Sequence, residues 1–157
     1  MATYVISDIH GMYNKFTELL NKIKLKETDT IYILGDVLDR GPDPIKTLLK
    51  IMSMPNAICM LGNHEDMALD CLKFFMTTEI TEQSLSGVSE EMLEKLVTWQ
   101  YNGSKTTIDG FRALDRAKQQ EIIDFIEDIP VLLVDTDEDK YYKVTESGEW
   151  LVQPFIY

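Results

Sequence analysis

The sequence is poor in cysteine and in positive charge, and it has no long apolar segment. Its two cysteines, Cys59 and Cys71, lie among apolar residues and predict buried, reduced thiols rather than a disulfide framework or a zinc knuckle. No apolar run reaches the ~18 residues of a membrane span, and the N-terminus lacks the basic and apolar regions of a signal peptide. These absences predict a cytoplasmic protein without a membrane partner.

Acidic residues dominate the charge, with 27 aspartates and glutamates against 15 lysines and arginines and a net charge of −12. Such a chain repels a phosphate backbone and has no basic cluster, so we expect no nucleic-acid binding. The hydrophobic fraction of 45% and the charged fraction of 27% are typical of a globular protein. The length of 157 residues predicts one domain.

The first half of the chain alternates between short β-branched segments and helical patterns. Strands are predicted at 3–6, 30–34 and 57–61, and apolar residues recur at helical spacing between and after them. This order predicts parallel strands with right-handed crossovers and a ligand site outside the carboxyl ends of the strands. We therefore predict an α/β fold with a βαβαβα half over residues 1–76.

The second half carries weaker signals. Residues 77–110 are predicted to form a cap or loop segment that determines substrate specificity, with a helix through Leu93, Leu96 and Val97 that ends near Trp99. Residues 111–157 are predicted to form a helix with Asp115 as its N-cap, then a β-hairpin of 131–134 with 140–144, and a C-terminal strand.

A polar cluster follows each predicted strand of the first half. The clusters are Asp8-Ile9-His10-Gly11, Gly35-Asp36-Val37-Leu38-Asp39-Arg40-Gly41 and Gly62-Asn63-His64-Glu65. Residues two apart on an extended segment point the same way, so Asp8 and His10 can bind one ion. Asp36 and Asn63 arrive at the same edge from the neighbouring strands. Mixed oxygen and nitrogen ligands favour manganese, iron or zinc.

The three clusters resemble, in order and spacing, the first three motifs of the calcineurin-like metallophosphoesterases. The extension Asp39-Arg40-Gly41 is similar to the branch that holds small bacterial and phage serine/threonine protein phosphatases and dinucleoside-tetraphosphate hydrolases. Trp99 with Asn102-Gly103 resembles a further element of the small bacterial members. The resemblance implies a layered fold of β-sheets flanked by helices.

The resemblance also implies a divalent-metal cofactor, with manganese favoured and iron or zinc as alternatives. The family binds two metals, and one or two are expected here. Asp8 and His10 would bind the first metal, and Asp36 would bridge the two. Asn63 would bind the second metal and contact the phosphate.

Three residues receive catalytic roles from the same resemblance. His64 would protonate the leaving-group oxygen, and Asp39 would orient His64. Arg40 would bind the phosphoryl group, because a guanidinium offers a planar bidentate grip that lysine lacks. A histidine paired with a carboxylate is suited to general acid catalysis.

The chain contains only two histidines, His10 and His64. The family has two further motifs, each built on a metal-binding histidine, and neither occurs here. We therefore expect incomplete C-terminal strands. Three explanations are open: truncation with weak or no activity, a second copy that supplies the missing surface in a homo-oligomer, or substitution by carboxylates of the acidic second half.

The leading prediction is a metal-dependent phosphoester hydrolase, similar to serine/threonine protein phosphatases, that acts on a phosphoprotein or a small phosphoester. One alternative is an enzyme resembling the dinucleoside-tetraphosphate hydrolases. Another is a non-catalytic module that binds a metal or a phosphate group. The three ordered motifs favour an enzyme, whereas the missing histidines favour the non-catalytic module.

Overall fold

Three parallel strands and six helices precede an antiparallel strand pair in the part of the chain that the structure describes. This computed structural model describes residues 1–77 and 87–131, with the backbone of strands 140–144 and 150–154. The elements are β1 (Thr3–Ile6), α1 (Tyr13–Ile23), β2 (Thr30–Ile33), α2 (Pro44–Met52), β3 (Ala57–Cys59), α3 (Asn63–Thr77), α4 (Glu90–Tyr101), α5 (Lys105–Arg112), α6 (Arg116–Asp128), β4 (Lys140–Val144) and β5 (Trp150–Pro154).

β1, β2 and β3 form a parallel sheet with β2 in the centre. Ile33 pairs with Ile6 on one side and with Cys59 on the other, so the strands end at nearly the same level. Ile31 and Ile33 are 1% and 0% exposed, because alternate residues of β2 face the core. The carboxyl edge of this sheet is therefore where the three polar clusters meet.

Apolar residues of the helices form much of the core. α2 and α6 contribute to the core Ile45, Leu48, Ile51, Ile122, Ile123 and Ile126. α6 begins at the predicted cap, where the Asp115 side chain accepts a hydrogen bond from the N–H of Lys118 at 2.8 Å. Of the helices described, none combines the length and the apolar character needed to cross a membrane.

The segment predicted to be a cap or loop contains two helices: α4, where a helix is predicted, and α5, which the sequence does not predict. α5 has only eight residues and includes two threonines and Gly110, which favour helix weakly. Burial of Thr107 and Phe111 against the rest of the protein overrides this weak local preference.

The described strand pair joins β4 to a strand at the position of the predicted C-terminal strand. β4 pairs in antiparallel fashion with β5, with Lys140 opposite Pro154. Of the predicted partner strand, residues 132–134 lie outside the described residues. The pairing of β4 with a strand at 131–134 stays a prediction.

The two cysteines are free thiols, as the sequence predicts. Burial, assisted by the charge of Asp70, raises the pKa of the buried Cys71 to about 11, and burial near Glu65 raises that of the half-buried Cys59 to about 12.

We expect almost no reaction of native protein with Ellman's reagent at about pH 8, and two reactive thiols after denaturation, because the thiolate is the reactive form. Both raised pKa values also predict that stability falls as the pH rises above about 9. Rapid labelling of the native protein by Ellman's reagent would contradict the raised pKa values of the two thiols.

Candidate metal centre

The first two polar clusters adopt backbone conformations that side chains disfavour. Positive φ angles occur at Asp8 (54°), His10 (43°), Asp36 (55°), Asp39 (66°) and Arg40 (63°). Each such residue costs of order 1–3 kcal/mol and persists only where surrounding contacts hold it. Among the described residues outside these clusters, only Lys24 at the end of α1 shares this feature without being glycine. The concentration of strain therefore points to the two turns as a functional site.

Backbone contacts join the turns after the three strands. The N–H of His10 donates to the carbonyl oxygen of Asp36 at 2.9 Å. A Cβ added at Gly41 would collide with the carbonyl oxygen of His10, and one added at Gly62 would collide with the amide nitrogen of Asp36. Glycine at these two positions lets the three clusters form one continuous surface.

Glu65 received no role from the sequence, yet it holds the turn after β2. Its side chain is 1% exposed. Oε1 accepts hydrogen bonds from the N–H groups of Val37 and Leu38, both at 2.9 Å, and Oε2 accepts from those of Asp36 at 2.8 Å and Gly62 at 3.2 Å. Burial raises the pKa of Glu65, whereas the bonds from residues 36–38 act in the opposite direction.

Three side chains, His10, Asp36 and His64, offer metal-ligating atoms that lie within 4.8 Å of one another. A hydrogen bond of 2.9 Å between His10 Nδ1 and the carbonyl oxygen of Leu38 makes Nδ1 the donor and leaves Nε2 as the ligating nitrogen. The Asn63 amide lies 3.1 and 3.2 Å from the two carboxylate oxygens of Asp36. With its nitrogen toward Asp36, this amide donates to the carboxylate, and with its oxygen toward Asp36 both residues can share a cation.

Asp8 and Arg40 lie at the exposed rim of this cluster. Asp8 Oδ1 is 3.9 Å from His10 Nε2, and the Asp8 side chain is 65% exposed. The Arg40 guanidinium donates to the same His10 nitrogen at 3.0 Å. The backbone N–H of Arg40 donates to the carbonyl oxygen of Gly103 at 3.0 Å, so the turn after α4 helps to position Arg40.

His64 lies in the first turn of α3 and is 1% exposed. Its Nδ1 donates to Oδ2 of the fully buried Asp39 at 2.7 Å. Its Nε2 has no hydrogen-bond partner among the residues that the structure describes. The His10 ring meets it edge-on, with 4.7 Å between centroids. An imidazole held by a carboxylate on one nitrogen and open on the other suits proton donation and metal binding alike.

The donors at this site fit a divalent metal ion. Imidazole nitrogens, carboxylate oxygens and an amide oxygen form the mixed set that manganese, iron and zinc accept. Two further features fit a bound cation. His64 Nε2 has no hydrogen-bond partner among the described residues, and the Asn63 amide lies against both carboxylate oxygens of Asp36. The structure brings all the predicted ligands to this one edge of the sheet, although Asp8 stands farther out.

The sequence matches the family described as calcineurin-like phosphoesterase over residues 1–151. The chain belongs to this family. Two similar relatives are named symmetrical bis(5'-nucleosyl)-tetraphosphatase. That from Erwinia tasmaniensis is 33% identical over 102 residues, which is 63% of this chain and 37% of the relative. That from Proteus mirabilis is 40% identical over 67 residues, which is 41% of this chain and 24% of the relative.

Membership of the calcineurin-like phosphoesterase family confirms the predicted family and the predicted α/β metallophosphoesterase fold. Members of this family use divalent metals. A solved metallophosphoesterase from Sphaerobacter thermophilus is 18% identical, with a TM-score of 0.49 over 86% of this chain and 43% of its own. The chain spans 37% and 24% of the lengths of the two curated relatives.

Proposed function

We propose that this chain is a metal-dependent phosphoester hydrolase with its active site at the carboxyl ends of β1, β2 and β3. The observation that carries the proposal is the convergence of His10, Asp36 and His64, which bring imidazole nitrogens and a carboxylate oxygen within 4.8 Å of one another. Open α/β sheets bind their ligands at this edge. In this proposal His10, Asp36 and Asn63 hold the metal, with Asp8 as a further ligand at the rim.

The proposed metal is manganese, with iron or zinc as alternatives, because the ligand set mixes oxygen and nitrogen. When bound, such a metal supplies Lewis-acid polarisation of phosphoryl oxygens and a water more acidic than bulk water. The protein holds its own ligands in position through their neighbours. Leu38 orients the His10 ring, and Glu65 fixes the backbone of Asp36.

Arg40 and His64 are proposed to act on the phosphoryl group and on the leaving group. Arg40 is exposed, and its guanidinium can bind two phosphoryl oxygens at once. His64 serves as proton donor rather than as a metal ligand, because the buried Asp39 carboxylate holds its Nδ1 and its Nε2 is left for the leaving group. As water attacks phosphorus, forms the new P–O bond and loses a proton to solvent, the old P–O bond breaks and a proton passes from His64 Nε2 to the leaving oxygen. Solvent then restores the proton to His64.

The proposed substrate is a dinucleoside polyphosphate. Support comes from the two curated relatives, at 33% and 40% identity, that are named for bis(5'-nucleosyl) tetraphosphate. A phosphoprotein substrate, as in the serine/threonine phosphatases, stays a prediction.

A panel of three substrates tests the proposal: diadenosine tetraphosphate, a phosphoserine peptide and p-nitrophenyl phosphate, each with added manganese. We expect hydrolysis of the dinucleotide with a kcat/KM at least about tenfold above that of the peptide, because contacts made only with a nucleoside would discriminate between the two substrates by a few kcal/mol. EDTA should abolish turnover, and manganese should restore it. Faster hydrolysis of the peptide would overturn the substrate assignment and leave the hydrolase intact.

A non-catalytic module is the second candidate, favoured by the presence of only two histidines in the chain. It predicts that manganese and inorganic phosphate bind without turnover of any of the three substrates. Calorimetric titration with phosphate would then show binding in the wild type and none in Arg40→Ala. Turnover of one substrate is enough to reject this candidate.

A further inference from the structure

The Asp39 carboxylate contacts three side chains from three different helices. Oδ2 accepts from His64 Nδ1 of α3 at 2.7 Å and from Trp99 Nε1 of α4 at 2.8 Å. Oδ1 accepts from the Thr107 hydroxyl of α5 at 2.6 Å. All four residues are buried, with exposures of 0% or 1%. Both oxygens of this carboxylate are therefore engaged away from water.

Thr107 bonds to Asp39 twice. Its hydroxyl donates to Oδ1 at 2.6 Å and accepts from the backbone N–H of Asp39 at 3.0 Å. This ring of two hydrogen bonds resists rotation of the carboxylate, and Trp99 restrains the other oxygen. Rotation of Asp39 would leave buried donors without an acceptor, which proteins avoid.

We propose that Trp99 and Thr107 are positioning residues that act on His64 through Asp39. By fixing the carboxylate they fix the imidazole, so that His64 Nε2 keeps its direction toward the leaving-group oxygen. Neither residue needs to touch the substrate. The activity part of this inference rests on the proposed role of His64 as proton donor, whereas the effect on the imidazole does not.

The turn between α4 and α5 also contacts Arg40, the proposed phosphate-binding residue. Gly103, in the turn between α4 and α5, accepts a hydrogen bond from the backbone N–H of Arg40 at 3.0 Å. Residues 99–107 therefore contact both Asp39, which holds the acid, and the backbone of Arg40. The segment predicted only to determine specificity takes part in the geometry of the reaction.

Thr107→Val tests the proposal, because valine keeps the volume and loses both hydrogen bonds, and Thr107→Ser is the matched rescue. The two probe substrates are phosphoserine, whose alkoxide leaving group needs a proton, and 2,4-dinitrophenyl phosphate, whose leaving group does not. We expect Thr107→Val to lower kcat on phosphoserine at least about tenfold, with KM unchanged and little change on the aryl ester. Thr107→Ser should restore most of the loss. An equal loss on both substrates overturns the proposal.

Nuclear magnetic resonance supplies a readout that does not depend on turnover. The chain has only two histidines, so ¹⁵N-labelled histidine gives two assignable rings. We expect a downfield proton on His64 Nδ1 that shifts or broadens in Thr107→Val and returns in Thr107→Ser. The His10 ring, bonded to Leu38, is the internal reference.

Trp99→Phe gives a second variant should Thr107→Val fail to fold, since it removes one donor and keeps the aromatic packing. An unchanged His64 signal in a folded variant would overturn the positioning role. A shifted signal without hydrolysis of any substrate by the wild type would support the positioning role and reject the proposed function.

Discussion

Replacement of Asp36 by asparagine is expected to reduce metal-dependent hydrolysis at least about 100-fold, because loss even of outer partners of metal ligands costs 10–100-fold. The Asp36 carboxylate contacts both His64 and Asn63: its Oδ1 accepts from the backbone N–H of His64 at 3.2 Å, and its two oxygens lie 3.1 and 3.2 Å from the Asn63 amide. Asparagine keeps an oxygen for that bond but removes the negative charge. Manganese affinity, measured by calorimetry, and turnover should therefore fall together.

Asp109→Asn is the matched control for Asp36→Asn. The Asp109 side chain is 61% exposed on α5 and pairs only with Lys105 one turn away among the described residues. Such exposed pairs contribute about 0.5 kcal/mol at most, so metal affinity and turnover should stay at wild-type values. Wild-type turnover in Asp36→Asn, or an equal loss in the control, would contradict the assignment of Asp36 as a ligand.

Replacement of Glu65 by glutamine is expected to destabilise the protein by about 3 kcal/mol. The carboxylate accepts four backbone hydrogen bonds, two on each oxygen. Glutamine keeps one oxygen and turns an NH₂ group toward the other two donors, and each unsatisfied buried donor costs about 1–3 kcal/mol. At this chain length the melting temperature should fall by roughly 6–12 °C.

Glu18→Gln, an exposed substitution on α1, is the control and should melt within about 1–2 °C of the wild type. Glu65→Gln should also weaken manganese binding, since the turn that carries Asp36 loses its support. Thermal unfolding monitored by circular dichroism gives the melting temperatures of both variants and of the wild type. A melting temperature of Glu65→Gln equal to that of Glu18→Gln would show that the carboxylate does not hold the turn.

The sequence predicts the βαβαβα half well because each of its elements has a distinct hydrophobic period. β1 is predicted at its observed bounds, and β2 at bounds that differ by one residue. α5 is different: its threonines and glycine carry little helical signal, and it forms because Thr107 and Phe111 are buried by distant parts of the chain. Tertiary burial of this kind cannot be derived from local periodicity.

The residues of the candidate site also divide into those that local sequence patterns predict and those that depend on distant contacts. Asp8, His10, Asp36 and Asn63 could be predicted because each follows a parallel strand, and such strands end at one edge. Glu65 and Thr107 could not be predicted. Glutamate is common in the first turn of helices because its negative charge interacts favourably with the helix dipole. The sequence position of Glu65 therefore does not indicate that its side chain holds a turn elsewhere in the chain. Thr107 contacts a residue 68 positions away.

Hydrolysis of p-nitrophenyl phosphate measured against bound manganese, starting from metal-free protein, tests the central claim most directly. We expect no turnover without metal and a rate that rises with bound manganese and saturates when the site is full. Asp36→Asn should remain near zero throughout. Stoichiometric manganese binding by the wild type with no turnover would contradict the account, as would turnover that survives complete removal of the metal.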